Sequence, residues 1–142
     1  MKIFNKRAGF DYELFEKLEA GISLSGGEAK AARLGHVTLT GSYIKIVDGE
    51  AFLINADIPV PGKLNYDSRR TRKLLLHKSE IISLLTKSKQ SKLTLIPIVI
   101  YTEKRLIKLE IALAKSKRKF EKKEAQKMLD VQRDVEMDLK DR

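Results

Sequence analysis

NYDSRRTRKLLLHKSEI, which spans Asn65–Ile81, is the most informative stretch of the chain. It holds four cations and then an uninterrupted leucine triplet, in the order Arg69, Arg70, Arg72, Lys73 and Leu74–Leu76. Guanidinium groups bind phosphate through paired hydrogen bonds, and the adjacent leucines can anchor their backbone in a core. The pattern favours rigidly held arginines that recognise a shaped polyanion. The alternative is a solvated basic loop that enters a helix.

The length and composition predict one soluble domain. A chain of 142 residues can bury a real hydrophobic core, and it contains no cysteine for a disulfide, a catalytic thiolate or a thiolate zinc site. The first residues lack the apolar run of a signal peptide, and no stretch approaches the roughly 20 apolar residues of a membrane span. We therefore predict a cytoplasmic protein with no membrane partner.

The charge balance points to an anionic partner and gives no support to an enzyme. Lys and Arg outnumber Asp and Glu by 29 to 19, for a formal charge of +10. Such a surplus favours nucleic acid or an anionic surface. The two histidines, His36 and His77, lack metal-ligand spacing, and neither a phosphate-binding loop nor a nucleophile with a base can be identified. We expect no metal, no cofactor and no catalytic residue, and we interpret His77 as a helix-start or RNA-facing side chain.

The first half of the chain predicts a strand, a helix and a hairpin. Apolar residues alternate from Phe10 to Leu24 with one break at Glu16, which indicates a strand. Ser25 and Glu28 have the spacing of a capping box, ahead of a short helix that runs from Ala29 to Leu34. Asp48-Gly49 then favours a two-residue turn between strands at 42–47 and 50–54.

The second half predicts a loop, a helix and two further strands. Two of the three prolines lie in an aperiodic stretch, Asn55–Asp67, and a helix is expected over Ser79–Lys89. Strands are expected over Leu93–Thr102 and Leu106–Ala114, with Pro97 at an edge or a bulge because it cannot donate a ladder hydrogen bond. About five or six strands with two to three short helices suggest a β-rich fold, a small antiparallel barrel.

Beyond residue 114 the composition changes, which divides the chain into a barrel (1–114) and a tail (115–142). Lys115–Lys127 has a local net charge of +5 and Met128–Arg142 one of −2, by residue count. Apolar residues recur there at spacings of three and four, at Met128, Val131, Val135 and Leu139. We interpret the tail as disordered when free and helical on a partner. The alternative is a frayed terminus.

Two acidic residues stand out in this basic protein. Glu19 and Glu28 lie near Gly21, Gly26 and Gly27. A surface ion pair is the ordinary explanation for each. The alternative is that their carboxylates accept hydrogen bonds from base or ribose donors, which would select structured RNA over a generic polyanion.

Taken together, the motifs closely resemble the small protein B (SmpB) family. The resemblance runs in order along the chain, through Asn5-Lys6-Arg7-Ala8, Glu19-Ala20-Gly21, RKLLLHK at Arg72–Lys78 and ALAK at Ala112–Lys115. It implies an oligonucleotide-binding-like, Greek-key barrel with flanking helices. It also implies an adaptor that binds the transfer-RNA-like domain of transfer-messenger RNA and delivers it to stalled ribosomes for rescue and for tagging of the nascent peptide.

The resemblance also implies the partners and the contact residues. The partners are transfer-messenger RNA, the stalled 70S ribosome with its ribosomal RNA, and elongation factor Tu with the alanylated RNA; the free protein is expected to be a monomer. Residues expected at or beside the RNA are Asn5, Lys6, Arg7, Glu19, Glu28, Lys30, Arg33, Arg69, Arg72, Lys73, Leu75, His77 and Lys78. Tail residues expected on ribosomal RNA are Lys115, Lys117, Arg118, Lys119, Lys122 and Lys123. The alternative function is a general RNA chaperone on the same fold.

Overall fold

The computed structural model describes residues 1–117 of the chain. The expected tail helix and the contacts expected of Arg118, Lys119, Lys122 and Lys123 lie outside these residues. The strands are β1 (Lys2–Phe4), β2 (Tyr12–Ile22), β3 (Tyr43–Val47), β4 (Glu50–Ile54), β5 (Arg72–Leu75), β6 (Thr94–Glu103) and β7 (Leu106–Ser116). The helices are α1 (Ala8–Asp11), α2 (Gly26–Arg33) and α3 (Lys78–Gln90).

Six of the strands close into an antiparallel barrel. The sheet order is β1-β6-β3-β4-β5-β2-β7, and an additional β6–β7 pairing joins the far end back to β6. The ring is therefore β6-β3-β4-β5-β2-β7, with β1 attached to β6 as an extra strand. Closure removes most unpaired strand edges, which otherwise invite aggregation. The predicted small antiparallel barrel is confirmed.

Strand β2 follows the alternation expected from the sequence. It begins at Tyr12 because Phe10 and Asp11 belong to α1, a short helix that the alternation did not reveal. Its pairing with β7 shifts register between Leu14 and Lys17. The break in the apolar pattern at Glu16 thus coincides with a β-bulge, where one extra residue interrupts the ladder.

The capping box that was predicted at Ser25 and Glu28 is present. The Glu28 N–H donates to the Ser25 hydroxyl at 3.2 Å, and the Ser25 N–H donates to the Glu28 carboxylate at 2.9 Å. The helix begins at Gly26, three residues earlier than the apolar residues indicated, because the cap satisfies the first free N–H groups there. Ala31 and Ala32 face the core.

The predicted hairpin is also confirmed. Asp48 and Gly49 both take positive φ angles, 51° and 76°, as a two-residue turn between right-twisted strands requires. Strands β3 and β4 pair in register around it, with Val47 opposite Glu50.

The basic segment forms a strand, which the sequence interpretation did not assign. Residues Arg72–Leu75 form β5, between β4 and β2, and α3 starts at Lys78. The alternative of a solvated loop that enters a helix is therefore wrong for these residues. The strand was hidden because its inward positions are Arg72 and Leu74, so that a charged residue occupies a core position and masks the alternation.

Pro97 lies at a bulge, as predicted. The β6–β7 register shifts between Pro97 and Val99. Asn5, just after β1, covers this irregularity: its side-chain amide donates to the Pro97 carbonyl at 2.9 Å and its N–H to the Ile98 carbonyl at 2.7 Å. Two carbonyls at the bulge thus obtain donors from one residue.

One main hydrophobic cluster fills the barrel. Its members come from every strand of the ring and from α2 and α3, and they include Leu53, Leu74, Leu84, Ile100 and Leu109. In the part of the chain that the structure describes, no helix is long and apolar enough to cross a membrane.

Candidate nucleic-acid interface

A groove of about 850 Å³ runs across the barrel where β5 passes into α3. Strand β2 lines it with Glu19 and Gly21, the β3–β4 turn with residues 48–51, and β7 with Lys108. The remaining wall is the segment from Lys73 through Lys78, continued by the first turn of α3. Five residues predicted at the RNA surface therefore meet in one place: Glu19, Lys73, Leu75, His77 and Lys78.

The alternation of β5 decides which side chains face this groove. Arg72 and Leu74 are buried inside the barrel, so Lys73 and Leu75 point outward. Leu75 is 58% exposed although it is a large apolar residue in the middle of a sheet. An exposed leucine beside lysines provides an apolar contact for a base or a ribose, in addition to charge for phosphates.

The first turn of α3 forms one end of the groove. His77 is the N-cap residue, and its backbone N–H donates to the Glu80 carboxylate at 2.9 Å. This confirms the helix-start interpretation of His77. Lys78 follows in the first helical position with its side chain exposed.

Glu19 is held by two donors from the neighbouring strands β7 and β6. Lys108 Nζ lies 2.6 Å from one Glu19 oxygen, and the Tyr101 hydroxyl donates to the other. The Lys108 contact, followed by that of Tyr101, lowers the pKa of Glu19, and the same carboxylate raises the pKa of Lys108. Glu103 is a second partner of Lys108, at 3.3 Å. Glu19 is therefore a charged acceptor in a fixed position.

The groove carries charges of both signs. Its lining includes three lysines (Lys73, Lys78, Lys108) and four acidic residues (Glu19, Asp48, Glu50, Glu80). Lys73 also forms an exposed ion pair with Glu50 at 3.2 Å. A surface that bound phosphate by charge alone would exclude carboxylates, because like charges repel. The mixture fits a ligand that presents N–H or O–H donors as well as phosphates.

Glu28 and Arg72 require a correction. Both were expected at or beside the RNA surface, but both side chains are 0% exposed. Arg72 donates to Glu28 through Nε at 2.9 Å and through a terminal nitrogen at 2.8 Å. Arg70 and the Tyr66 hydroxyl also donate to Glu28. A buried carboxylate and a buried guanidinium need partners inside the protein, so neither is available for direct contact with a ligand.

The other predicted cations lie away from the main groove. Arg69 is exposed and donates to the Asn55 side chain at 3.1 Å. Arg33 donates to the Arg105 carbonyl at 2.7 Å and lines a smaller pocket that shares Leu75 with the groove. Lys30 is exposed on α2.

Another group of predicted residues lies around α1. Asn5 and Arg7 line a separate cavity of about 310 Å³, and Arg7 forms an exposed ion pair with Asp11. Lys6 is exposed. The chain leaves β7 beside this region, since Lys117 donates from its backbone to Asp11 and from its ammonium group to the Gly9 carbonyl.

Lys115 belongs to β7, which continues past the predicted strand end at Ala114 as far as Ser116. Two functional candidates, Lys108 and Tyr101, were absent from the predicted contacts. The signal that would have found them is the strand register: Lys108 pairs with both Gly21 and Tyr101, beside Glu19. Within residues 1–117, His, Asp and Glu side chains form no group of three or more that could hold a metal ion.

A closed antiparallel barrel with a groove of lysines, carboxylates and an exposed leucine defines the class of small nucleic-acid-binding barrel proteins. Within that class the chain belongs to the SmpB family. The family model described as SmpB protein matches residues 2–141. The match therefore covers both the barrel and the segment that follows it.

Relatives and a solved structure agree with this assignment. The SsrA-binding protein of Sulfurihydrogenibium sp. is 46% identical over 96% of this chain and 91% of its own length. The SsrA-binding protein of Persephonella marina is 46% identical over 92% and 88%, respectively. A structure described as "tmRNA-SmpB: a journey to the center of the bacterial ribosome" superposes with a TM-score of 0.70 at 45% identity, and the match covers 87% of this chain and 93% of that one.

Proposed function

We propose that this protein is a non-enzymatic adaptor that binds transfer-messenger RNA and brings it to stalled ribosomes in trans-translation. The observation that carries the proposal is the membership of nearly the whole chain in the SmpB family. Relatives at 46% identity are SsrA-binding proteins, and the similar solved structure is described as tmRNA-SmpB on the bacterial ribosome. The protein would act in the cytoplasm, where ribosomes translate.

The groove is the proposed binding site for the transfer-RNA-like domain of that RNA. Lys73, Lys78 and Lys108 would contact phosphates, and Leu75 would pack against a base or a ribose. The Glu19 carboxylate would accept a hydrogen bond from a base or a 2′-hydroxyl, a contact that a generic polyanion does not offer. This division of roles supports recognition of one RNA over bulk transfer RNA.

The tail, residues 115–142, is proposed to act on the ribosome and not on the transfer-messenger RNA. It would enter the empty messenger channel through its basic first part, while elongation factor Tu and the alanylated RNA complete the delivered complex. Removal of residues 118–142 should spare RNA affinity and abolish peptide tagging in a reconstituted stalled-ribosome assay. A large loss of affinity for transfer-messenger RNA would show instead that this segment contributes to binding that RNA.

The proposal is tested by binding of labelled transfer-messenger RNA in the presence of excess transfer RNA, across a salt series. Contacts from the three groove lysines predict a slope of log K against log salt of about −3 or shallower. Lys73→Ala should weaken binding by about 1–3 kcal/mol, the range for a hydrogen bond with a charged group. Lys89→Ala is the matched control because Lys89 is exposed in the last turn of α3, outside the groove.

Two results would favour the alternative of a general RNA chaperone. One is that excess transfer RNA abolishes binding, and the other is that Lys73→Ala and Lys89→Ala weaken binding equally. In that case the salt slope would follow the total positive charge of the protein and exceed the value set by the groove.

A further inference from the structure

A buried ion cluster lies behind β5, on the inner side of the groove wall. Glu28, in the first turn of α2, accepts hydrogen bonds from Arg70, Arg72 and the Tyr66 hydroxyl. Burial alone would raise the pKa of Glu28, but these donors and the Ser25 N–H outweigh it and hold the pKa well below its ordinary value. The carboxylate is therefore charged, and it joins α2 to β5.

Arg72 also fixes the long connection from β4 to β5. One terminal nitrogen donates to the Ala56 carbonyl at 2.6 Å, and the other donates to the Ser68 carbonyl at 2.8 Å. These two carbonyls lie near the start and the end of the connection. The residues between them form no helix or strand, so this guanidinium supplies hydrogen bonds that a regular element would otherwise provide.

Strand β5 is short, and few ladder contacts define its position. It pairs with β4 at three residue pairs and with β2 at two, Gly21 with Leu75 and Ile22 with Leu74. A shift of one residue in a strand turns every side chain to the opposite face. In β5 such a shift would bury Lys73 and Leu75 and expose Arg72, because Arg72 and Leu74 now face inward.

We propose that Glu28 is a positioning residue for the groove: its carboxylate holds the Arg72 guanidinium inside the barrel, which fixes the register of β5 and the outward direction of Lys73 and Leu75. A leucine triplet cannot supply this definition, because Leu74, Leu75 and Leu76 are interchangeable as core residues. The Arg72 guanidinium can form its paired hydrogen bonds with Glu28 in only one register of β5. The consequence for RNA affinity rests on the proposed function, whereas the consequence for register does not.

The test replaces the cluster without creating an unpaired buried charge. In the double variant Glu28→Leu/Arg72→Met, apolar side chains of similar length fill the space, and exchanges of this kind are often neutral or stabilising. The first readout is the set of cross-strand nuclear Overhauser effects that pair Gly21 with Leu75 and Ile22 with Leu74. We expect the double variant to be folded and to show weakened or additional pairings for β5.

The second readout is affinity for transfer-messenger RNA, measured well below the unfolding temperature of each variant. We expect a loss of about tenfold or more, at least as large as that of Lys73→Ala, because the outward side chains are no longer presented together. Glu28→Gln should show the same two changes in a milder form, since it retains one acceptor oxygen. If Glu28→Gln loses a buried hydrogen bond but keeps the wild-type register of β5, the proposal is overturned.

Two controls separate positioning from loss of stability. Val99→Ala removes methyl groups from a buried position of β6 that is opposite β1, so it should destabilise the barrel and leave both readouts unchanged. Glu16→Gln neutralises an exposed carboxylate that pairs with Lys87, with no expected effect on either readout. If the Glu28→Leu/Arg72→Met variant retains native register and affinity, the positioning role is refuted. If the wild type does not bind the RNA, the proposed function fails while the register result still stands.

Discussion

Two neighbouring glycines at the start of α2 should respond in opposite ways to substitution by alanine. A Cβ atom at Gly26 would meet no other atom within 4 Å, whereas a Cβ at Gly27 would lie 3.0 Å from Cγ1 of Val60. Neither glycine has a positive φ angle, so alanine can adopt the backbone conformation at both positions. Both variants therefore gain about the same helix propensity, and they differ in what the new Cβ atom contacts.

The magnitudes follow from these distances. Alanine in place of glycine in a helix stabilises by about 0.5–1 kcal/mol, which is the full expectation for Gly26→Ala. At Gly27 the same gain is offset by the displacement of Val60, and overpacking of this kind costs about 1–3 kcal/mol. Gly27→Ala should thus be destabilising by about 0–2.5 kcal/mol, and Val60→Ala in the same chain should restore the gain.

Urea unfolding of five variants, the three single substitutions and the doubles Gly26→Ala/Val60→Ala and Gly27→Ala/Val60→Ala, followed by circular dichroism, gives the required free energies. The coupling between Gly27→Ala and Val60→Ala should be favourable by about 1 kcal/mol or more, while Gly26→Ala and Val60→Ala should be additive. Equal effects of the two glycine substitutions, or no coupling with Val60, would show that the connection from β4 to β5 does not pack on α2 as described.

Three further outcomes are expected. Asn5→Ala should lower the free energy of unfolding by about 1–3 kcal/mol, because it leaves the Pro97 carbonyl without its side-chain donor; an unchanged urea midpoint would contradict this. The pKa of Glu28 lies below its ordinary value of 4.5, so its stabilising contribution is complete at neutral pH and declines as the pH falls below about 4.5; acid unfolding of Glu28→Gln should accordingly show a shallower pH dependence than the wild type. Lys108→Met should raise the pKa of Glu19 in a carbon-13 titration of the side-chain carboxyl, and an unchanged titration would remove Lys108 as its main partner.

Local patterns predicted the elements whose determinants lie close together in the chain. The capping box at Ser25 and Glu28, the turn at Asp48-Gly49 and the bulge at Pro97 each depend on a few neighbouring residues, and all are present. The alternation over 10–24 gave β2, because one face of that strand packs on the core.

The errors arose where partners are distant in sequence. Glu28 and Arg72 looked like surface charges because burial of Arg72 depends on a carboxylate 44 positions away. Strand β5 could not be distinguished from a loop for the same reason, and Lys108 and Tyr101 gain their place beside Glu19 only through strand register. The family resemblance supplied the order of the motifs but not which side chains face inward.

Strand β2 sets the distance between two parts of the protein. One end pairs Tyr12 with Ser116 and Glu13 with Lys115, where the chain leaves the barrel, and the other end pairs Gly21 with Leu75 in the groove. At about 3.3 Å per residue, these ends are about 30 Å apart. The starting point of the segment that follows β7 is thus held at a set distance from any RNA in the groove. Insertion or deletion of one residue in β2 would change that spacing, and it would also turn the side chains beyond it to the opposite face of the sheet.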